Sequence, residues 1–141
     1  MLVPVVSLAV QSALARPPAT LGVVDGRLAA CPQSPNAVSS QTDSSEHYLE
    51  PLTFTDEPAE AWQRLKRALA ALPRTVVVTE TEGYLHAEAT SRLFRFVDDV
   101  EFLLDKRAKQ IEFRSASRVG HSDLGVNRVR IESLRRAFET R

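Results

Sequence analysis

The sequence predicts an α+β fold: a four-stranded antiparallel meander sheet covered by two helices in a two-layer sandwich, behind an irregular N-terminal arm. Three observations carry that expectation. Residues 75–118 hold four β-rich runs, three of them alternating apolar and polar residues. The links between the runs are short, which suits antiparallel neighbours. Segments with helical periodicity precede and follow the runs, and a sheet with one apolar face needs such cover.

The elements follow in order. Asp56-Glu57-Pro58 opens the first helix, because acidic residues and a proline suit the first turn. Ala61, Trp62, Leu65, Ala68, Leu69 and Leu72 then recur at helical spacing, while Arg64, Lys66 and Arg67 fall mostly on other faces; Pro73 stops the helix. Trp62 reads as a core anchor rather than a ligand-stacking residue. Thr75–Thr81 (TVVVTET) is rich in β-branched residues and forms the first strand. After the Glu82-Gly83 turn, Tyr84–Leu93 is the second. It places Leu85, Ala87 and Ala89 on one face, and Tyr84, His86, Glu88 and Arg92 on the other. Val97–Asp105 is the third, with Val100, Phe102 and Leu104 inward and Asp99 and Glu101 outward. A charged turn, Lys106–Lys109, leads to the fourth, Gln110–Arg118, with Ile111 and Phe113 inward and Glu112, Arg114 and Arg118 outward. Gly120–Gly125 is a loop. Asn127 is expected to cap a last helix that buries Ile131, Leu134 and Phe138.

The chain of 141 residues suits one domain. Its division is expected as a signal or anchor segment at 1–15, a Pro/Ser-rich arm at 16–46 and the α+β domain at 47–141. Residues 2–15 are apolar and uncharged, too short to span a bilayer, and end in Ala13-Leu14-Ala15, which fits a cleavage site. No lysine or arginine precedes them. The same segment also reads as the tail of a longer signal or as a buried helix. Leu28-Ala29-Ala30-Cys31 has the form of a lipoprotein signal, but its distance from the apolar run argues against it. Export to the periplasm or envelope is the expectation, with a cytoplasmic location as the alternative. The membrane would then be met only through an uncleaved N-terminal segment.

Lysine plus arginine equal aspartate plus glutamate at 18 each, so no global field gathers polyanions. The charge is uneven: residues 1–90 hold six basic against ten acidic residues, and residues 91–141 hold twelve against eight. Internal pairing is the economical reading, and nucleic-acid binding is not expected. Cys31 is the sole cysteine, which excludes an intramolecular disulfide and a multi-cysteine metal site.

Three groups of residues could carry chemistry. The outer sheet face offers Tyr84, His86, Glu88, Arg92, Asp99, Glu101, Arg114 and Arg118. A solvated or internally paired charge ladder explains them. A cleft with His86 as proton carrier and Glu88 as its partner, or a cation held by histidine and carboxylates, are the functional alternatives. The second group is Arg114, Ser115, Ser117 and Arg118 with Gly120, His121, Ser122, Asp123, Asn127 and Arg128. Its guanidiniums and hydroxyls near a helix start suit a carboxylate or phosphate; the alternative is that Arg114, Arg118 and Arg128 clamp Asp98, Asp99 or Glu101 from within. Ser115, His121 and Asp98 can be written as a hydrolase triad, without a nucleophile elbow to support it. The third group, Cys31–Gln41, can satisfy its own backbone through Ser34, Asn36, Ser39, Ser40 and Gln41, or can act as a lid over the sheet.

The segments LGVVDGRLAACP, CPQSPNAVSSQ, YLHAEATSRLFRFVDDVEF and IEFRSASRVGHSDLGVNRVRIE together resemble the domain of unknown function 1499 family, over about residues 20–139. The resemblance implies a small α+β domain, often behind a signal or membrane segment in bacteria, with plastid relatives, and it implies no reaction. The family's C-P-x-S-P-N-C pattern has Ala37 in place of its second cysteine here. The expected function is a non-catalytic binding or accessory domain of the bacterial envelope, with no cofactor or metal. Its partner would be an unknown protein or a small anionic ligand, met through Arg114, Ser115, Ser117, Arg118, Asn127 and Arg128. The alternative is a hydrolase or metal-dependent enzyme using His86, Glu88 and Glu101.

Overall fold

The computed structural model describes residues 21–31, 36–92, 96–118 and 125–140. Among the described residues, eight strands and two helices run in the order β1 (Val23–Val24), β2 (Arg27–Leu28), β3 (Ala37–Ser39), β4 (Leu52–Thr53), α1 (Pro58–Ala71), β5 (Thr75–Thr81), β6 (Tyr84–Thr90), β7 (Val97–Asp105), β8 (Gln110–Ser117) and α2 (Val126–Glu139). The α+β class and the meander β5-β6-β7-β8 are present.

The sheet has six strands, not four. Both β3 and β4 pair antiparallel with β8, Val38 opposite Ser115 and Leu52 opposite Ile111. These added strands are three and two residues long. Neither carries enough alternation to register as a strand; the open edge of β8 makes them strands by accepting their backbone bonds.

Register separates the two faces. Leu85, Ala87, Val100, Phe102 and Phe113 lie on one face. They are buried against α1 (Ala61, Leu65, Leu69) and α2 (Ile131, Leu134, Phe138), with Leu52 and Phe54 closing one side. At about 25 cal/mol per Å² of apolar area, this cluster is the main source of stability. The helices are amphipathic as their spacing requires, though each buries one polar residue, Arg64 in α1 and Asn127 in α2. Arg64, which the spacing placed off the apolar face, is buried between the helices. Its guanidinium stacks 4.2 Å from the Phe138 ring and bonds the Phe138 carbonyl at 2.7 Å and Asp56 at 2.8 Å.

Asn127 does not cap α2. Gly125 takes that position at φ +80°, and Asn127 lies inside the first turn with its amide turned into the protein. A side chain bonded to distant groups is not free to return to its own helix end.

The edge strand β5 carries a bulge between Val77 and Thr79 that leaves Val78 without a partner on β6. Val76, Val77 and Val78 are exposed. The opposite face of the sheet, at β7 and β8, is covered by the β1–β2 hairpin.

Candidate functional site

Alternation along β6, β7 and β8 places His86, Glu101 and Arg114 in one cross-strand row and Glu88, Asp99 and Ala116 in the next. All six point away from the helices. The sequence suggested a solvated or internally paired face; His86, Asp99, Glu101 and Arg114 are each no more than 5% exposed and pair internally. Burial of that much charge is tolerable only if every group is paired.

The pairing forms two knots. In the first, Arg114 Nε and a terminal nitrogen donate to Glu101 Oε1 at 3.1 and 2.9 Å. Glu101 Oε2 accepts the Tyr84 hydroxyl at 2.6 Å and the Gly22 backbone N–H at 2.7 Å. The remaining Arg114 nitrogen donates to the Ala30 carbonyl at 3.0 Å. Burial, together with the bond to Glu101, raises the Tyr84 phenol above its ordinary range, so it stays a neutral donor.

In the second knot, Arg118 holds Asp99 with two bonds of 2.9 Å and reaches Glu88 at 2.5 Å, while His86 Nε2 lies 2.7 Å from Asp99 Oδ1. Burial by itself would raise the Asp99 carboxyl; the bonds from His86 and Arg118 outweigh it and hold the carboxyl below its usual range. The bond to Asp99 leads those that raise the Arg118 guanidinium further. Three carboxylates thus meet two guanidiniums and an imidazole.

The candidate catalytic residues His86, Glu88 and Glu101 share this face but do not converge. His86 and Glu88 meet through Asp99 and Arg118, and Glu101 belongs to the other knot. A ligand atom each from His86, Glu88 and Asp99 lies within 4.8 Å of the others, a spacing a cation could use. Arg118 already supplies the positive charge there, so a metal would require that side chain to leave.

The six proposed anion contacts do not form one site, because strand periodicity divides them. Arg114 and Arg118 lie on the outer face; Ser115 and Ser117 lie on the helix face. There Asn127 is fully buried. It accepts from the Ser115 hydroxyl at 2.5 Å and donates to the Asn36 carbonyl at 3.0 Å and to Ser117 Oγ at 3.2 Å. Arg130, not Arg128, joins this cluster, reaching Asn127 at 2.7 Å and Asp98 at 2.7 Å. Among the described residues, buried Asp98 Oδ1 has no hydrogen-bond partner. Arg128 donates to the Glu46 carbonyl at 3.0 Å.

Arg92 is exposed at the turn after β6. Gly120, His121, Ser122 and Asp123, with the proposed triad's histidine among them, lie outside the described residues, as does Ser34.

Helical spacing from Asn127 could have found Arg130 one turn on; nothing in the sequence signals that Asn127 bonds Asn36 and Ser115. In the third group, backbone satisfaction is visible. The Phe113 N–H donates to Ser40 Oγ at 2.8 Å, the Gln41 N–H to Ser39 Oγ at 3.0 Å, and the Leu28 N–H to Gln41 Oε1 at 3.0 Å. Cys31 is half-buried, and burial pushes its thiol up against the opposing influence of Arg114.

Among the described residues, clefts open elsewhere. One of about 680 Å³ lies beside Trp62, Glu80, Glu82 and Lys106; one of about 580 Å³ beside Gln41, Leu103, Arg107 and Glu112; one of about 330 Å³ beside Asp56, Glu60 and Arg67. His86, Glu88 and Glu101 line none of the three. Among the described residues, no helix is long and apolar enough to cross a membrane.

No curated protein and no solved structure matches the chain. A family model described as "Protein of unknown function (DUF1499)" matches residues 27–138, from β2 nearly to the end of α2. The chain belongs to that family.

Proposed function

We propose that this protein is a non-catalytic binding or accessory domain of the bacterial envelope, acting on a partner protein or a small anionic ligand. One observation carries the reading. Tyr84, His86, Glu88, Asp99 and Glu101 on the sheet face are each committed to an internal partner and line none of the three clefts, and Glu112, which lines one of them, accepts from the Ser40 hydroxyl. Catalysis needs a reacting group with free bonding capacity beside a cavity. A binding domain needs only a surface and a stable frame. Arg114, Arg118 and Arg128 remain the proposed contacts for an anion, which would have to displace Glu101, Asp99 and Glu88 from the first two; Ser115, Ser117 and Asn127 lie on the helix side of the sheet and do not share that site. Envelope placement rests on the apolar stretch 2–15.

The test is recovery of the protein from envelope and soluble fractions of its native host, with native mass spectrometry of each. The expected result is an envelope species whose mass begins at Arg16 and carries added ligand or partner mass. A full-length, ligand-free monomer confined to the soluble fraction overturns the proposal.

A metal-dependent enzyme is the second reading, favoured only by the spacing of His86, Glu88 and Asp99. Titration with zinc and manganese decides it: micromolar binding that His86→Gln abolishes would replace the first reading with this one.

A further inference from the structure

The hairpin over the charged face is held largely through its main chain. The Gly22 N–H meets Glu101 at 2.7 Å, the Leu28 N–H meets Gln41 Oε1 at 3.0 Å, and the Ala30 carbonyl meets Arg114 at 3.0 Å. One further bond comes from a side chain, Arg27 to the Gln41 carbonyl at 3.2 Å. In β1 and β2 only Leu28 is buried; Val23 and Val24 are 40% and 70% exposed. Two strands of two residues each do not hold a hairpin on their own. The arm therefore sits on groups that recognise extended backbone, plus the place where the Leu28 side chain is buried.

Those groups do not distinguish the arm from another chain. Glu101 accepts any backbone N–H, Arg114 donates to any carbonyl, and Gln41 offers a further acceptor, used by the Leu28 N–H. Main-chain bonds that supply affinity, with a side-chain pocket that supplies selectivity, are the chemistry of peptide recognition. Matching of the family model begins at Arg27, so Gly22 and β1 lie outside the matched span.

We propose that the face formed by Glu101, Arg114 and Gln41 is a recognition site for an extended polypeptide segment of a partner. That segment carries a leucine-like side chain among small residues, and arm residues 21–31 occupy the site as a tethered competitor. This rests on the binding-domain reading and names its ligand class. Tethering places the arm at an effective concentration in the millimolar range, so a free segment must bind better than the arm or meet a chain whose arm has lifted.

The test uses the full chain and a fluorescein-labelled peptide of residues 20–31 with serine in place of its cysteine. Gly22→Pro with Leu28→Asp removes one N–H and the apolar anchor from the arm. Fluorescence anisotropy is expected to show the peptide binding this variant at least tenfold more tightly than wild type. The same peptide with aspartate at the Leu28 position should not bind. In wild type, the amides of Gly22 and Leu28 should exchange with deuterium at least about a hundredfold faster than those of β6–β8. Absence of peptide binding to a variant that keeps its cooperative unfolding overturns the inference. So does arm exchange as slow as the core, which decides the matter if the variant does not fold. Partner mass found on wild type alongside either result would leave the binding-domain reading standing and remove the arm from it.

Discussion

The two faces of one sheet are buried by opposite means. Against the helices, Leu85, Val100, Phe102 and Phe113 are removed from water by other apolar groups. On the opposite face, His86, Asp99, Glu101 and Arg114 are as well buried, but among one another's charges. The apolar face gains free energy from each methylene it hides. The charged face recovers in paired bonds what desolvation costs, and its net contribution to stability is small. What it supplies is intolerance: a wrongly placed strand would strand a charge.

Urea denaturation of matched variants tests this difference. Phe102→Ala should lose about 3–5 kcal/mol by leaving a cavity in the core. Glu101→Leu should lose a similar amount, about 3–5 kcal/mol, because it leaves the buried Arg114 charge uncompensated. The two single variants look alike; a second substitution separates them. Glu101→Leu with Arg114→Leu should return to within about 1–2 kcal/mol of wild type, since removing both charges also removes their desolvation. A double variant as unstable as either single one would show the charged face to be a direct source of stability.

Thermal unfolding against pH reads the charged face alone. The Asp99 carboxyl is held low in the fold, so its contribution is present above about pH 4, the unfolded value, and is lost as the solution becomes more acidic. Asp99→Asn should flatten that acid limb. The Tyr84 phenol is held high, so its contribution is present below about pH 10 and is lost as pH rises further; Tyr84→Phe should flatten the alkaline limb.

Smaller effects lie away from both faces. Gly83 turns the chain between β5 and β6 at φ +74°, and Gly83→Ala should cost about 1 kcal/mol through that backbone strain. Lys106 and Glu82 form an exposed pair at 3.7 Å, and Lys106→Ala should change stability by less than about 0.5 kcal/mol.

Where the chain repeats a period, the fold could be read in advance. Alternation in Tyr84–Thr90 and Val97–Asp105 assigned both faces correctly, and the spacing of Ala61, Leu65 and Leu69 assigned the buried side of α1. Legibility ended where a residue's environment comes from distant chain. Ala37–Ser39 is a strand only because β8 has an open edge, and Arg64 is buried only because Phe138 and Asp56 receive it. The outward-facing charges were identified, along with the alternative that they pair internally. That Gly22 and Ala30 would bond Glu101 and Arg114 could not be read, since a backbone N–H or carbonyl leaves no mark on residue type. Membership of a periodic strand is local information; the cover over that strand is not.

The bulge at Val78 bears on solubility rather than on folding. β5 is an edge with three exposed valines in succession, a composition that invites a second copy to add on. The unpartnered residue bends the strand and breaks the even spacing that a straight stacking partner would need. Deleting Val78 would straighten β5 and turn this rim of the molecule from a dead end into a seed for fibres.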